Sequence, residues 1–370
     1  MSSADSHWMA QALRLAERGM YTTSPNPRVG CVLVHDGKVV GEGWHAFAGE
    51  SHAEVHALHA AGKQALGATA YVTLEPCSHH GRTPPCADAL IAAGIKRVVA
   101  AMQDPNPMVA GNGLKRLRAA GMQVESGLME SAALELNIGF VSRMTCGKPW
   151  VRSKIAASVD GRTALANGSS KWITGEAARR DVQHWRARSC AVLTGVGTVL
   201  ADDPQLNVRE VESGRQPLRV VLDSKLRIPA TAKILRNGKT LVYTAATDVA
   251  KQQALIATGA EVVVLAGPTG KVDLSAVLCD LGKRGCNEIL VEAGSTLNGV
   301  LLEAGLVNEL VLYLAPQLLG DAARGMAGLG ELTSLSQRVA LQWSDVRRVG
   351  SDLRIVAKIS KEDRSCSAES

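Results

Sequence analysis

The sequence predicts a two-domain α/β protein. The chain is 370 residues long, short apolar runs alternate with helical patterns along both halves, and glycine is abundant at 36 residues. At roughly 100–200 residues per domain, that length makes two domains. A chain of this size buries sizeable cores without a disulfide framework. Glycine at that level suits many tight strand-to-helix turns.

The elements follow in order. Residues 10–18 carry apolar side chains at helical spacing. Residues 29–34 and 38–41, joined by Asp36-Gly37, read as a β-hairpin. Next come an Ala-rich helix over 52–66, a strand over 70–74 and a helix over 87–93 closed by Gly94. A strand over 97–101, a helix over 113–120 ended by Gly121, and a strand from 123 complete the first half. A helix ends over 137–143, and Cys146-Gly147-Lys148-Pro149 is turn chemistry. The expected domains are therefore 1–146 and 147–362, with a polar tail at 363–370. In the second half, strand-like runs lie at 191–194, 219–222, 240–244, 261–265, 288–291 and 309–314. Helical patterns at 175–188 and 248–258 lie between them, which implies a mainly parallel sheet.

Composition excludes several function classes. Aromatics are 3% of the chain, too few for a base-stacking surface. The net charge of +6 is scattered, with no basic run of five or more, so a nucleic-acid groove is not expected, and the charge is compatible with small anionic substrates such as phosphates. No apolar stretch is long enough for a membrane span, and the N-terminus does not resemble a signal peptide. Eight thinly spread cysteines read as reduced thiols in a cytoplasmic protein, with a clustered pair more suited to metal.

The sharpest motif is His52-Ala53-Glu54 followed by Glu75-Pro76-Cys77 and Pro84-Pro85-Cys86. One His and two Cys match a three-ligand catalytic zinc site with an open position. Glu54, two residues from the His, can stand beside the metal as a proton carrier, which is the pattern of zinc deaminases. Eight residues separate the cysteines where two are usual, and they include the competing ligands His79 and His80. His52, His56 and His59 also share a helix face, so a solvated stripe or a three-His site stays open. A closed structural zinc is the third reading, and it would leave Glu54 without a purpose. In the second half no GxGxxG follows the first strand, which argues against a Rossmann site. The turns at 194–198 and 294–299 could bring backbone N–H groups to phosphates, or could be ordinary strand-to-helix turns.

Residues 24–32, 52–54, 71–86 and 102–107 closely resemble the bifunctional deaminase/reductase family of riboflavin biosynthesis, in which the eight-residue insertion is normal. The resemblance continues through 154–162, 170–174 and 193–204, so it spans nearly the whole chain. It implies a cytidine-deaminase-like α/β/α domain followed by a dihydrofolate-reductase-like α/β domain. The implied reactions are zinc-dependent deamination of 2,5-diamino-6-(5-phosphoribosylamino)pyrimidin-4(3H)-one and NADPH-dependent reduction of the ribosyl side chain to ribityl. The substrate is a small molecule, and a homo-oligomer is expected.

The implied metal ligands are His52, Cys77 and Cys86, with Glu54 catalytic. Asn26 would hydrogen-bond the pyrimidine, or simply form a turn between two prolines. Residues 79–83 and 104–106 would form loops around the substrate, with Arg82 near the phosphate. In the reductase the resemblance implies cofactor contacts at Ala156, Trp172, Thr198, Asp202, Ser224, Gly294, Ser295, Thr296, Leu297, Asn298, Gly299 and Val300. It implies substrate contacts at Ser170, Arg186, Leu206, Arg209 and Glu292. The forked donors of Arg186 and Arg209 suit a phosphate, and Asp202 is a candidate for moving a proton. Two positions depart from the family. Ser169 stands where Glu is common, and Ala293 stands where many members have Gly, a residue far freer at positive φ.

Overall fold

The structure, a computed structural model, describes residues 2–78, 84–107 and 109–360. The implied loop residues His79, His80, Arg82 and Thr83, and the polar tail at 363–370, lie outside the described residues. The chain divides into two compact units, Met1–Gly147 and Lys148–Ser370.

The first unit runs α1 (Ser3–Glu17), β1 (Gly30–His35), β2 (Lys38–Trp44), α2 (Ala53–Ala61), β3 (Thr69–Val72), α3 (Cys86–Ala92), β4 (Arg97–Ala100), α4 (Asn112–Ala119), β5 (Gln123–Ser126), α5 (Glu130–Leu136) and α6 (Ile138–Cys146). Its five strands lie in the order β2-β1-β3-β4-β5. β1 is antiparallel to β2 and β3, and β3, β4 and β5 are mutually parallel. The hairpin turns at Asp36 (φ 49°) and Gly37 (φ 72°), the left-handed pair that matches strand twist.

Gly30 faces Ala12 of α1, whereas Gly43, the partner of Cys31, faces Ala53 of α2. Strand residues alternate sides, so α1 and α2 cover opposite faces and the unit is an α/β/α sandwich. α1 begins earlier than its apolar spacing suggests, because Ser2 and Asp5 form a reciprocal capping box.

The second unit runs β6 (Trp150–Ser158), β7 (Arg162–Ala164), α7 (Glu176–Arg188), β8 (Ala191–Gly195), α8 (Val196–Asp202), β9 (Leu218–Leu222), β10 (Thr240–Thr244), α9 (Val249–Ile256), β11 (Glu261–Val264), α10 (Leu274–Lys283), β12 (Glu288–Val291), α11 (Ser295–Glu303), β13 (Glu309–Ala315), β14 (Arg324–Gly325), β15 (Leu341–Val349) and β16 (Asp352–Ile359). Nine strands lie in the order β11-β10-β9-β8-β12-β6-β13-β16-β15. From β11 to β13 they are parallel, and β16 and β15 close the sheet as an antiparallel hairpin that the sequence reading did not resolve. The central strands are mostly apolar, as a sheet covered on both faces requires. A buried charge cluster lies among them. Arg152 on β6 is 1% exposed and binds Glu288 on β12 and Glu309 on β13. No helix among the described residues is long and apolar enough to cross a membrane.

Asp5 does more than cap α1. Its carboxylate accepts the Tyr71 hydroxyl of β3 at 2.7 Å and both terminal nitrogens of Arg97 of β4 at 2.7 and 3.1 Å. The Arg97 guanidinium holds the Asp5 carboxyl well below the ordinary carboxylate range. A depressed native pKa contributes stability above the unfolded value of 3.8 that is lost as the pH falls further. Asp5→Asn should therefore destabilise the chain by about 2–3 kcal/mol at neutral pH. That gap should narrow below pH 3.8. Denaturant unfolding of both proteins at neutral and acid pH measures it.

Candidate active sites

The first site is set by how closely α2 lies on the hairpin. A Cβ at Gly43 would stand 2.3 Å from the Ala53 carbonyl, and one at Gly41 would stand 2.2 Å from that of Ala57. Glycine at both positions lets the helix settle onto β2. His52 is then the N-cap of α2 in extended backbone, and Glu54 sits in its first turn, 3% exposed. Cys86 opens α3, and Cys77 lies in the loop after β3.

These elements bring His52, Cys77 and Cys86 together, with their ligand atoms all within 4.8 Å of one another. His52 Nδ1 lies 3.3 Å from Cys86 Sγ and 3.6 Å from Cys77 Sγ, and the Cys86 amide donates to Cys77 Sγ at 3.3 Å. His56 and His59 point out as exposed residues and stand apart from this trio. Hydrogen bonds from Cys86 and His52 push the Cys77 thiol below its ordinary range. A thiolate, a second sulfur and an imidazole nitrogen are the donor set zinc prefers, so the residues fit that ion. Burial pushes the Glu54 carboxyl up to about 7, the range in which a carboxylate both takes and returns a proton.

Glu75, which the motif reading left without a role, is a buried clamp. One carboxylate oxygen accepts the amides of Asp104 (3.0 Å) and Gly111 (2.9 Å), and the other accepts those of Gly113 (2.8 Å) and Leu114 (3.2 Å). It thereby fastens the loop bearing Asp104 and Asn106, and the start of α4, two residues before Cys77. A Cβ at Gly113 would stand 2.0 Å from the Pro76 carbonyl, so the two segments touch through backbone.

In the second unit the implied residues gather at the carboxyl ends of the parallel strands, where open α/β sheets bind ligands. Ala156 lies near the end of β6. Thr194 and Gly195 end β8 and lead into α8, which holds Thr198 and Asp202. Ser224 follows β9 and its hydroxyl accepts the Val272 amide at 3.0 Å. Glu292, Ala293 and Gly294 follow β12 and lead into α11, which holds Ser295 to Val300. The two turns are tied together, because Thr194 Oγ1 donates to the Glu292 carbonyl at 2.7 Å.

Arg186 grips Glu292 with two bonds of 2.5 and 3.1 Å, and its third nitrogen donates to the Asn207 carbonyl at 3.0 Å, beside the buried Leu206. Burial raises the Glu292 carboxyl, but the Arg186 guanidinium outweighs it and holds the group below its ordinary range. Lys154, also passed over by the sequence reading, places its amine 4.0 Å from Glu292, and burial pushes that amine down. Arg209 is exposed, with its backbone N–H anchored on Gln183 at 3.0 Å. Asp202 pairs with Lys171 at 3.4 Å, and the 70%-exposed Trp172 stacks under Arg179. Ser170 is half-buried just before them.

Residues 149–355 match the profile of the RibD C-terminal domain, and residues 2–102 match that of the cytidine and deoxycytidylate deaminase zinc-binding region. The riboflavin biosynthesis protein RibD of Escherichia coli is 52% identical over 362 residues, covering 94% of this chain and 98% of that protein. The protein of the same description from Haemophilus influenzae is 48% identical over 372 residues, covering 96% and 97%. Among solved structures, Acinetobacter baumannii RibD, form 1, superposes with a TM-score of 0.90 at 48% identity, covering 96% of this chain and 99% of that one. A diaminohydroxyphosphoribosylaminopyrimidine deaminase/5-amino-6-(5-phosphoribosylamino)uracil reductase from Thermotoga maritima superposes with a TM-score of 0.84 at 33% identity, with coverage of 96% and 99%.

Glu75→Gln would replace an acceptor oxygen by an amide group facing two backbone N–H donors. It should destabilise the chain by about 2–4 kcal/mol and weaken metal retention. Denaturant unfolding and metal content after gel filtration measure both effects.

Proposed function

The chain belongs to the RibD family, and from that membership we propose that its two reactions run at the two sites just described. It is a bifunctional enzyme of riboflavin biosynthesis, a zinc-dependent deaminase followed by an NADPH-dependent reductase. In our reading the first substrate is 2,5-diamino-6-(5-phosphoribosylamino)pyrimidin-4(3H)-one and the final product is 5-amino-6-(5-phosphoribitylamino)uracil. The observation that carries the deaminase assignment is the buried Glu54 carboxyl beside the nitrogen–sulfur trio.

His52 Nδ1 and the sulfurs of Cys77 and Cys86 would hold zinc, which would supply the Lewis acidity that makes water acidic at neutral pH. Glu54 would take a proton from the attacking water on a carboxylate oxygen and deliver it to the departing nitrogen. The C–N bond breaks, ammonia leaves, and oxygen replaces it. The Glu75 clamp keeps Asp104 and Asn106 at the rim while this happens.

In the reductase, NADPH supplies the hydride. Ala156, Thr198, Ser224 and the segment 294–300 line the strand ends that would seat it, and Trp172 and Asp202 stand at the mouth. Arg186 engages Glu292 and the Asn207 carbonyl with three of its five N–H groups, so it holds Glu292 toward the ribosyl chain. The exposed Arg209 is a cation available to the substrate phosphate, and Ser170 and Leu206 complete that wall.

A homo-oligomer is the assembly we propose. The exposed Trp343 and Val346 on the long edge strand β15 support it, because such an edge invites pairing. Thiolate ligands at Cys77 and Cys86 suit a reducing compartment, which supports a cytoplasmic setting.

Glu54→Gln should lower the deamination rate by about 10²–10⁴-fold. Zinc per chain and reduction of the separately supplied deaminated intermediate should stay at wild-type levels. Arg209→Ala should raise the reductase KM for that intermediate about tenfold with deamination unchanged. Product-resolved assays with and without NADPH, beside elemental analysis, measure all of these. A fully active Glu54→Gln would sink the proposed role.

A further inference from the structure

We propose that residues 316–330 form a strap that braces the Trp172 segment and the start of α11 against each other, and that Asp160 is the positioning residue that anchors it. The inference rests on the reductase reading above, and Asp160 is not among the ligand contacts named there.

The strap leaves the sheet where β13 ends beside β6, with Ala315 and Ser158 as register partners. The Val159 amide donates to the Gln317 carbonyl at 3.0 Å. Asp160, in the turn between β6 and β7, takes hold of the next residues. One carboxylate oxygen accepts the Leu319 amide at 3.1 Å and the Gly320 amide at 2.9 Å, and the other accepts the Ser158 hydroxyl. The Ser158 oxygen in turn accepts the Arg162 amide at 3.0 Å, which closes the turn on itself. The Ser158 hydroxyl and the strap amides hold the Asp160 carboxyl below its ordinary range, so these bonds are made to a charged acceptor. The adjacent Arg162–Asp321 pair offers no comparable grip, because Asp321 stands fully in solvent.

On either side of this anchor the strap reaches backbone that the resemblance assigns to the cofactor. Before it, Gln317 Nε2 donates to the Ile173 carbonyl at 3.0 Å, one residue past Trp172. Trp172 is 70% exposed, so its backbone carries much of its placement. Beyond the anchor, β14 pairs with β7, and the strap then docks on α11. Asn298 donates to the Met326 carbonyl at 3.1 Å, and the Gly328 amide donates to the Ser295 carbonyl at 2.9 Å. Two segments far apart in sequence therefore share one support, and its charged fastening is Asp160. Glu292 and Arg186 are held by each other and do not depend on it. Releasing the strap should loosen the seat of the cofactor and spare the seat of the sugar.

The test uses the full-length chain carrying Asp160→Ala, Asp160→Asn or Gln317→Ala, and the double variant Asp160→Ala/Gln317→Ala. The measurements are the NADPH Kd by titration calorimetry, kcat and KM for NADPH and for the deaminated intermediate, the deamination rate, and amide hydrogen exchange. Asp160→Ala should raise Kd and KM for NADPH about tenfold, with the KM for the intermediate and the deamination rate unchanged. Exchange should rise together over 316–330, 171–174 and 295–299. Asp160→Asn keeps one acceptor oxygen and should recover to within about threefold of wild type. It also decides the matter if Asp160→Ala does not fold. Gln317→Ala should raise exchange at 171–174 and leave 295–299 as it was. The double variant should lose less than the sum of the two single losses, because Gln317 acts through the strap that Asp160 holds. Wild-type NADPH affinity in Asp160→Ala, or in Asp160→Asn a loss as large as for Ala, would overturn the inference. So would equal KM losses for both substrates, or exchange rising across the whole reductase unit. A wild-type chain that binds no NADPH would instead sink the reductase reading itself.

Discussion

A methyl group at Gly43 would stand 2.3 Å from the Ala53 carbonyl, closer than any side-chain carbon can come. That contact lets α2 lie directly on the β1–β2 hairpin, and the geometry of the first site follows from it. His52 is the N-cap of the helix and Glu54 lies in its first turn, so the candidate ligand and the carboxyl beside it arrive as one rigid piece. The same hairpin ends at His45, whose ring reaches back to the Ser51 carbonyl just before His52. His52, Glu54 and the His45 ring are therefore placed by a single packing event between a helix and two strands. The opposite wall is placed by Glu75, whose carboxylate is saturated by four backbone amides. A site built this way exposes few groups that can relax, which is how a buried carboxyl is kept in an environment that raises its pKa.

The second unit solves a different problem. Its parallel strands deliver several loops to one edge, and those loops must be held in register without a metal. Charge pairing does this between Arg186 and Glu292, and hydrogen bonding does it between Thr194 and the Glu292 carbonyl. The pairing leaves Arg186 two of its five N–H donors. Arg209 differs from it in being exposed.

The metal centre was legible in the sequence because ligand chemistry admits few residue types. A His, two Cys and an adjacent Glu have few other reasons to occur together. The Asp36-Gly37 turn was legible for a similar reason, since both residues tolerate positive φ. Glu75 was not legible. Its partners are amides 29 to 39 residues away, which leave no side-chain signature. The Arg186–Glu292 pair was hidden for the same reason of distance, since the two residues lie 106 positions apart. His45 has no neighbour in sequence that marks it, and only the fold brings Asn26 to its ring. The hairpin of β15 and β16 was missed because its outer strand is largely exposed, which weakens the apolar alternation that marks a strand.

Ala293 shows how a departure from a family pattern can be judged by geometry. Glycine at that turn would be required only if the backbone took a positive φ, and Ala293 is not among the residues that do. The turn is held from the other side. Asn298 donates to the Ala293 carbonyl at 3.3 Å and to the Met326 carbonyl at 3.1 Å, and it accepts the Ser153 hydroxyl at 3.1 Å. The next residue is the one that cannot change, because a Cβ on Gly299 would stand 2.2 Å from the Gly328 carbonyl. The turn after β12 therefore takes its shape from a buried amide and a close helix–loop approach one turn into α11. A small side chain at 293 is tolerated because nothing there depends on its absence.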